Sequence, residues 1–285
     1  MVNQELKLVT DPSSLKVVVT SGVPAPAREL LWEVFFASRG RGVSLPAHFP
    51  WIDSTDNVFC ISLLDAHFPK GEKVIGALVI KTVDVSMHQQ VGFVGLVCVA
   101  EDWRGKNQSS RLLLEATKLG QNLHLHALVL WTQKPNVYIG QDFVIDGQDF
   151  FGCALRGKKS IITMAFTSEG WPDSTGIQNQ QGLPPFSIGG RLISTEHAKV
   201  VIVESLDGDV TLVKWIGRKE DVADLVECAL PDKWGVNISE GDALVEELRK
   251  RQFKIDLMPA AVRMVKNLKK PSITLLNTIE FLDRV

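Results

Sequence analysis

A turn between an apolar strand and an amphipathic helix holds the residues whose types and order best suit chemistry. The apolar run GFVGLVCV ends at Val99, Arg104 and Gly105 follow it, and the small polar residues Asn107 and Ser109 open a helix. Backbone N–H groups at a helix N-terminus, with the positive end of the helix dipole, bind a diphosphate well. Arg104 adds a cation there. A structural helix cap beside a solvated arginine would use the same residues, so residue types alone leave both interpretations open.

Tyr138 is the second candidate for chemistry. It is the only tyrosine in the chain, against thirteen phenylalanines, so its hydroxyl does not reflect a general use of tyrosine in this sequence. A phenol stays protonated at neutral pH and is a stronger acid than water, so it could donate a proton to a leaving group. The structural alternative is a tyrosine at the rim of a sheet, with its ring packed and its hydroxyl in water.

The elements that must position these residues follow from hydrophobic periodicity. The pattern predicts strands at Leu15–Ser21, Val58–Leu64, Val74–Val83, Val91–Val99 and Ala127–Trp131, and helices at Ala27–Ser38 and Asn107–Leu123. Polar turns separate the middle three strands, which is typical of an antiparallel meander. The short run Ala127–Trp131 is apolar throughout, as in a central strand buried on both faces. This order predicts an α/β architecture with a mixed sheet.

A Gly-, Pro-, Ser- and Gln-rich stretch at residues 168–190 suggests a linker between two halves. We therefore predict a first domain at residues 1–167 and a second, smaller one at residues 191–285. In the second half the pattern predicts strands near 200–204, 210–215 and 234–238, a last strand within 253–265, and helices at 220–229 and 240–251 with Ser239 as N-cap.

With these elements in place, the first half resembles the GNAT superfamily of acyl-CoA N-acyltransferases. Members of the family have a strand ending in Val, an Arg/Gln-x-x-Gly-x-Gly/Ala turn, and a helix with a Leu-Leu pair. Here the corresponding residues are Val99, the turn Arg104-Gly105-Lys106-Asn107-Gln108-Ser109, and Leu112-Leu113. The resemblance implies the GNAT fold, a mixed and mostly antiparallel sheet flanked by helices.

The resemblance also implies a coenzyme A site. Its diphosphate would lie on the turn from Arg104 to Ser109, and its pantetheine would pair with the strand at Val97, Cys98 and Val99. Asn107 and Ser109 stand where the family has Gly and Gly/Ala. Asn tolerates left-handed backbone geometry better than most residues, and Ser is small, so both departures are compatible with a weakened site.

The run Tyr138-Ile139-Gly140-Gln141-Asp142-Phe143 resembles the family's Tyr-x-x-x-Gly-Phe motif, with Asp142 at the glycine position. The resemblance implies that Tyr138 protonates the departing coenzyme A thiolate. The family often has a glutamate base on the strand before the turn, but GFVGLVCV contains no acidic residue. Glu101 and Asp102 come just after that strand, and we expect them to be solvated turn carboxylates. A water relay to the amine remains open.

The second half resembles the closing half of tandem GNAT proteins in the residues Gln252-Phe253 and Arg263-Met264. The chemistry is not repeated, because Leu248 occupies the position of Tyr138 and Glu220 begins the helix where a diphosphate would lie. We therefore expect a degenerate GNAT-like domain without a second acyl-CoA site. An unrelated small α/β domain is the alternative.

The resemblance implies an N-acyltransferase that moves an acetyl or other short acyl group from acyl-CoA, its co-substrate, to a primary amine by direct attack in a ternary complex. The acceptor is a small-molecule or peptide amine that the sequence does not identify. The alternative is a catalytically inactive GNAT-fold module that binds or senses CoA thioesters or a protein partner.

Composition and residue spacing argue against nucleic-acid-binding, metal-binding and membrane proteins. The net charge is −2 and no stretch is strongly basic, so nucleic-acid binding is not expected. The cysteines lack zinc spacing, and His124 and His126 have no nearby third ligand, so no metal is expected. The absence of a long apolar run or signal peptide predicts a cytoplasmic protein without membrane contact. The sequence leaves a homodimer open.

Overall fold

The computed structural model describes residues 15–66, 72–87, 89–157, 163–172, 181–239, 241–270 and 281–284. Its residue contacts divide these ranges into two units. The first holds the described residues up to Asp146 together with residues 264–270 and Arg284. The second runs from Gly147 to Arg263 and includes residues 281–283. Each unit therefore contains residues from both halves of the sequence.

Helices and strands alternate along the first half of the chain. The strands are β1 (Leu15–Ser21), β2 (Val58–Asp65), β3 (Lys73–Ser86), β4 (Gln89–Val99), β5 (Ala127–Thr132) and β6 (Val144–Leu155). The helices are α1 (Ala25–Phe35), α2 (Leu45–His48), α3 (Gln108–Asn122) and α4 (Asn136–Ile139).

The second half repeats this alternation. Its strands are β7 (Thr167–Trp171), β8 (Ser187–Ser194), β9 (Ala198–Ser205), β10 (Val210–Gly217), β11 (Lys233–Ser239) and β12 (Lys254–Asn267). Its helices are α5 (Lys219–Ala229) and α6 (Ala243–Lys250).

The sheet of the first unit follows the order β1-β2-β3-β4-β5 and then the end of β12. The first four strands form an antiparallel meander, and β5 pairs with β4 in the parallel sense. Helices cover both faces of this sheet. Successive residues of a strand point to opposite faces, so neighbouring residues of β3 meet different helices. Ala77 belongs to the core under α1, whereas its neighbour Gly76 lies against Leu112 of α3.

Both helices bury apolar side chains against the sheet. Leu31 of α1 and Leu112 and Leu113 of α3 are fully buried. Burial of each such side chain contributes about 1.5–3 kcal/mol, so the two helices are held mainly by packing. The helix α1 begins after Pro24 and has Pro26 in its first turn, where a missing N–H costs nothing.

The sheet of the second unit follows the order β12-β6-β11-β10-β9-β8-β7. Strands β8, β9 and β10 are antiparallel, and β11 pairs with β10 in the parallel sense, as β5 does with β4. The helices α5 and α6 supply the buried core residues Val222, Leu225, Val226, Leu244 and Leu248.

Each half of the sequence gives its last strand to the unit built mainly from the other half. Strand β6 follows α4, yet its residues 149–155 pair antiparallel with β11 in the second unit. Strand β12 follows α6, and its last residues lie beside β5 in the first unit. The main-chain N–H of Leu268 continues this contact by donating to the carbonyl of His126 at 2.9 Å.

The mixed α/β sheet predicted from the sequence is confirmed, whereas several element assignments were wrong. Ser239 ends β11, and Asp242 is the N-cap of α6, since its carboxylate accepts the Leu244 N–H at 2.9 Å. The predicted linker at 168–190 contains most of β7 and the start of β8. The residue contacts place a unit boundary at Asp146/Gly147, and the domains at 1–167 and 191–285 stay a prediction.

Candidate functional site

The two parallel strands β4 and β5 diverge soon after they begin. Their pairing covers only Val91–Phe93 of β4, although this strand continues to Val99 beside β3. In the described part of the chain, no strand pairs with the β5-facing edge of β4 beyond Phe93. Unpaired main-chain groups of a strand are a template for an extended ligand, so this edge can hold a chain-like molecule.

A β-bulge lies on the same stretch of β4. The register shifts between the pairs Val79–Gly95 and Ala77–Cys98, and Leu96 between them has a left-handed backbone with φ of 52°. A bulge leaves one residue out of the ladder and increases the local twist. It therefore changes the direction of the β4 main-chain groups next to the opening between the strands.

The predicted pantetheine residues Val97, Cys98 and Val99 all lie beyond this bulge. Val97 and Val99 are half-buried, whereas Cys98 is 5% exposed and packs in the core under α1. Burial raises the pKa of the Cys98 thiol to about 12, so it stays neutral. What these residues offer to a ligand is their backbone.

The turn after β4 folds into two left-handed positions. Gly105 has φ of 75° and Asn107 has φ of 60°, and α3 begins at the next residue. The Arg111 N–H donates to the Asn107 carbonyl at 3.4 Å, an i to i−4 hydrogen bond in the first turn of the helix. The N–H groups of Gln108 and Ser109 have no acceptor within the helix, because the N–H groups of the first turn of a helix have no preceding helical carbonyl to bond.

Two cations border this turn. Arg104 is exposed, and its Nε donates to the Val99 carbonyl at 3.2 Å, which ties the turn to the end of β4. The Lys106 ammonium lies 4.9 Å from the ring centre of Trp103. Gln108 Nε2 donates to the Lys106 carbonyl at 3.1 Å. Positive side chains and free amides together make this turn suited to an anion.

A cavity of about 650 Å³ adjoins the turn on the side of α1 and the start of β3. Among its lining residues are the acidic Glu29, Glu33, Glu72, Glu101 and Asp102 and the basic Lys73 and Arg104. Carboxylates outnumber cations, so the cavity repels phosphate and attracts positive charge. A diphosphate is therefore favoured at the start of α3 rather than inside this cavity.

Tyr138 lies in α4, which follows β5. Because β4 and β5 run parallel, the turn after β4 and the helix after β5 emerge at the same edge of the sheet, where ligands commonly bind in such sheets. The Tyr138 side chain is half-buried, and its ring packs edge-on against Phe143 at 6.1 Å. The structure thus places the two predicted site elements on adjacent diverging strands.

The phenol of Tyr138 is held in its neutral form. Burial raises its pKa above the ordinary value, and a hydrogen bond with the Thr132 hydroxyl opposes that rise. Thr132 Oγ1 also accepts the Lys134 N–H at 2.9 Å. Thr132 was not singled out from the sequence. Its position at the end of β5, shortly before Tyr138, could have indicated it.

Two of the three residues that depart from the family motif take the backbone geometry that glycine would take. Asn107 has φ of 60°, and Asp142, at the glycine position before Phe143, has φ of 62°. Asn and Asp are the side chains that enter this region most readily. Both substitutions therefore keep the local fold of the two motifs.

Among its described residues, the second unit has different groups at the positions equivalent to Tyr138 and to the first turn of α3. Leu248 is fully buried. Glu220 and Asp221 occupy the first turn of α5, and Arg218 before them pairs with Asp221 at 3.0 Å. Arg251 joins α5 to α6 through Glu227 at 3.5 Å. A diphosphate at the start of α5 would meet negative charge.

Residues 25–138 match the sequence profile of the Acetyltransferase (GNAT) family. Residues 25–138 are a GNAT domain. The match includes α1, the diverging strands, the turn and Tyr138. It supports acyl transfer as the reaction class, with acetyl-CoA as the molecule that the family binds. A search of curated proteins found no match.

Solved structures share the fold over most of the chain. A probable N-acyltransferase from Enterococcus faecalis V583 is 11% identical with a TM-score of 0.64, over 90% of this chain and 73% of that one. A GCN5-related N-acetyltransferase from Anabaena variabilis is 13% identical with a TM-score of 0.61, over 89% and 73%. A putative acetyltransferase from Pyrococcus horikoshii is 14% identical with a TM-score of 0.54, over 98% and 95%. The predicted GNAT fold is confirmed.

Two further findings concern the described ranges only. They contain no group of three or more His, Cys, Asp or Glu side chains arranged to hold a metal ion. No helix in them is long and apolar enough to cross a membrane.

Proposed function

We propose that this chain is an N-acyltransferase that transfers an acetyl or other short acyl group from acyl-CoA to a primary amine. The observation that carries the proposal is the divergence of β4 from β5. It exposes main-chain groups of β4 between the turn at Arg104–Ser109 and the helix that bears Tyr138. One extended ligand with an anionic end would meet all three features.

Each part of acyl-CoA has a partner in this arrangement. The diphosphate accepts hydrogen bonds from the amides of Gln108 and Ser109, with Arg104 and Lys106 as nearby cations. The pantetheine extends along the open edge of β4 from Val99 towards Val97, as an added strand would. The bulge at Leu96 then directs main-chain groups towards the thioester carbonyl.

The reaction is a direct displacement. The neutral amine nitrogen attacks the thioester carbonyl carbon, forming the new C–N bond, and the C–S bond breaks as the thiolate leaves. Tyr138 donates its phenolic proton to that thiolate, and water accepts the proton that the new amide nitrogen loses. The tyrosinate then regains a proton from water, so the sum is amide plus free CoA thiol.

The chain offers no carboxylate on β4 to deprotonate the amine, since the strand reads QQVGFVGLVCV. A water relay is therefore the route that we propose for the proton. Glu101 and Asp102 line the acidic cavity next to the turn. They would raise the local concentration of a cationic amine there without touching the reacting atoms.

Direct detection of product tests the proposal. The purified chain is incubated with acetyl-CoA and a panel of polyamines, amino sugars, arylalkylamines and peptides, and products are identified by mass spectrometry. We expect one amine class to gain an acetyl group together with release of the CoA thiol. The matched control is the same panel with desulfo-CoA, which has no thiol to carry an acyl group.

The absence of a carboxylate on β4 favours one other function, a module that binds a CoA thioester without turning it over. In that case acetyl-CoA would bind, yet no amine of the panel would be acylated, and CoA release would not exceed spontaneous hydrolysis. That outcome would contradict the proposed transferase and leave the binding function standing.

A further inference from the structure

Lys266 reaches from the last strand of the chain to the loop that follows Tyr138. It lies near the end of β12, and its side chain is 15% exposed. Its Nζ donates to the Gln141 carbonyl at 2.9 Å and lies 3.5 Å from Oδ2 of Asp142. The ammonium is therefore held by two acceptors of one tight turn.

That turn also fixes the backbone of Tyr138. The Tyr138 carbonyl accepts the Gln141 N–H at 2.9 Å and the Phe143 N–H at 3.3 Å. Asp142 lies between these two donors and has a left-handed backbone with φ of 62°. Lys266 binds the Gln141 carbonyl and the Asp142 carboxylate, so it contacts two consecutive residues of this turn.

A related contact occurs in the second unit. Arg156, the residue directly after β6, follows Phe143 by the same number of residues as Lys266 follows Phe253. Its guanidinium carbon lies 5.9 Å from the ring centre of Phe253, the first residue after the left-handed Gln252. In each unit, a cation near the end of the strand given by one half contacts the turn of the other half. Only the turn contacted by Lys266 carries a tyrosine.

We propose that Lys266 is a positioning residue for Tyr138, so the second half of the sequence supplies part of the active site of the first. This inference rests on the proposed acyl transfer for its kinetic consequence. The claim that Lys266 holds the turn after Tyr138 does not depend on turnover and can be tested without it. Loss of the ammonium frees the Gln141 carbonyl and the Asp142 carboxylate, and the turn then no longer holds the phenol in one place.

The kinetic test compares Lys266→Met with Lys266→Arg and with Lys254→Met. Lys254 is an exposed residue of the same strand, so its substitution controls for loss of a lysine from β12. Lys266→Met should lower kcat on the order of tenfold, because a misplacement of about 1 Å is costly to catalysis. The KM for acyl-CoA should stay within about twofold, since β4 and the turn are untouched. Lys266→Arg should restore most of kcat.

A double-mutant cycle separates positioning from general damage. If Lys266 acts through the phenol, Lys266→Met should lower kcat no further in a Tyr138→Phe background. An equal loss in both backgrounds would overturn the proposal. So would an unchanged kcat in Lys266→Met. Lys266→Gln, which keeps a donor for the Gln141 carbonyl, is the second variant if the methionine protein does not fold.

A measurement that needs no activity uses the single tyrosine of the chain. Biosynthetic fluorotyrosine labels Tyr138 alone, so the 19F NMR spectrum has one tyrosine resonance. We expect Lys266→Met to shift and broaden it, and Lys266→Arg and Lys254→Met to leave it close to wild type. An unchanged resonance in Lys266→Met would overturn the positioning role even if the protein proved to be inactive.

Discussion

Tyr138 and Leu248 occupy equivalent positions in the two halves of the chain. The Tyr138 carbonyl accepts the N–H groups of Gln141 at 2.9 Å and Phe143 at 3.3 Å. The Leu248 carbonyl accepts those of Arg251 and Phe253, both at 3.1 Å. The two turns therefore share one backbone hydrogen-bond pattern, and only the first of them carries a phenol.

Replacement of Tyr138 by Phe removes the proton donor and preserves the ring that packs on Phe143. We expect kcat to fall by about 10²-fold or more, the usual contribution of a general acid. Acyl-CoA affinity should not change, because the role proposed for the phenol concerns the leaving thiolate. Steady-state kinetics with parallel calorimetry measure both quantities. Full turnover in Tyr138→Phe would remove the acid role.

The titration of Tyr138 is predicted to lie above that of a free tyrosine. Burial raises its pKa, so the neutral phenol should persist past the pH at which an exposed tyrosine ionises, about 10. The alkaline decline of kcat should follow the same titration, because ionisation removes the transferable proton. Tyrosinate ultraviolet absorbance reports this residue alone in the folded protein. A titration at or below that of the unfolded chain would contradict the burial seen here.

Much of the first unit could be predicted from local patterns. Apolar spacing predicted α3, which runs Gln108–Asn122. It also predicted the meander β2 to β4, because each of these strands pairs with the next strand in the sequence. The Arg104 turn and Tyr138 were singled out from residue type and order together with the resemblance to the GNAT family, and their roles stay predictions. Strand β7 was missed because its residues are mostly exposed and the surrounding segment is polar, so no period-two alternation marks it.

Long-range relationships left no local signal. The pairing of β6 with β11 and the bond from Lys266 to Gln141 join residues far apart in sequence. Side-chain type does not encode such partners. The divergence of β4 from β5 was likewise unpredictable, since a parallel pair that ends at Phe93 looks the same in sequence as one that continues.

Asn107 should behave as a glycine substitute. Its φ of 60° suits Gly and Asn, whereas a β-branched side chain is strongly disfavoured there. We expect Asn107→Gly to fold and to bind acyl-CoA at least as well as wild type. Asn107→Val should lower stability by about 1–2 kcal/mol and weaken acyl-CoA binding. Thermal melts and calorimetry check both; equal behaviour of the two variants would exclude a conformational role.

The buried thiols Cys60 and Cys98 should resist alkylation in the native protein. Burial raises their pKa values to about 11 and about 12. A raised pKa means that the folded protein holds the thiol proton more tightly than the unfolded chain does. The resulting stabilisation of the folded state is present below the pKa of the unfolded chain and is lost as the pH rises through the pKa of the folded protein. Half-buried Cys153 and Cys228 should react first. Peptide mass spectrometry after iodoacetamide gives the order; early labelling of Cys98 would contradict it.

Calorimetric titration of acetyl-CoA into Arg104→Gln and Arg218→Gln tests the location of the acyl-CoA site most directly. Both arginines follow a strand and precede a helix, at the equivalent junctions β4–α3 and β10–α5, so the two neutralisations are matched. We expect Arg104→Gln to weaken binding roughly tenfold, about 1.4 kcal/mol, and Arg218→Gln to leave it unchanged. Equal affinity in both variants and wild type, or weaker binding only in Arg218→Gln, would show that acyl-CoA does not bind at the turn after β4.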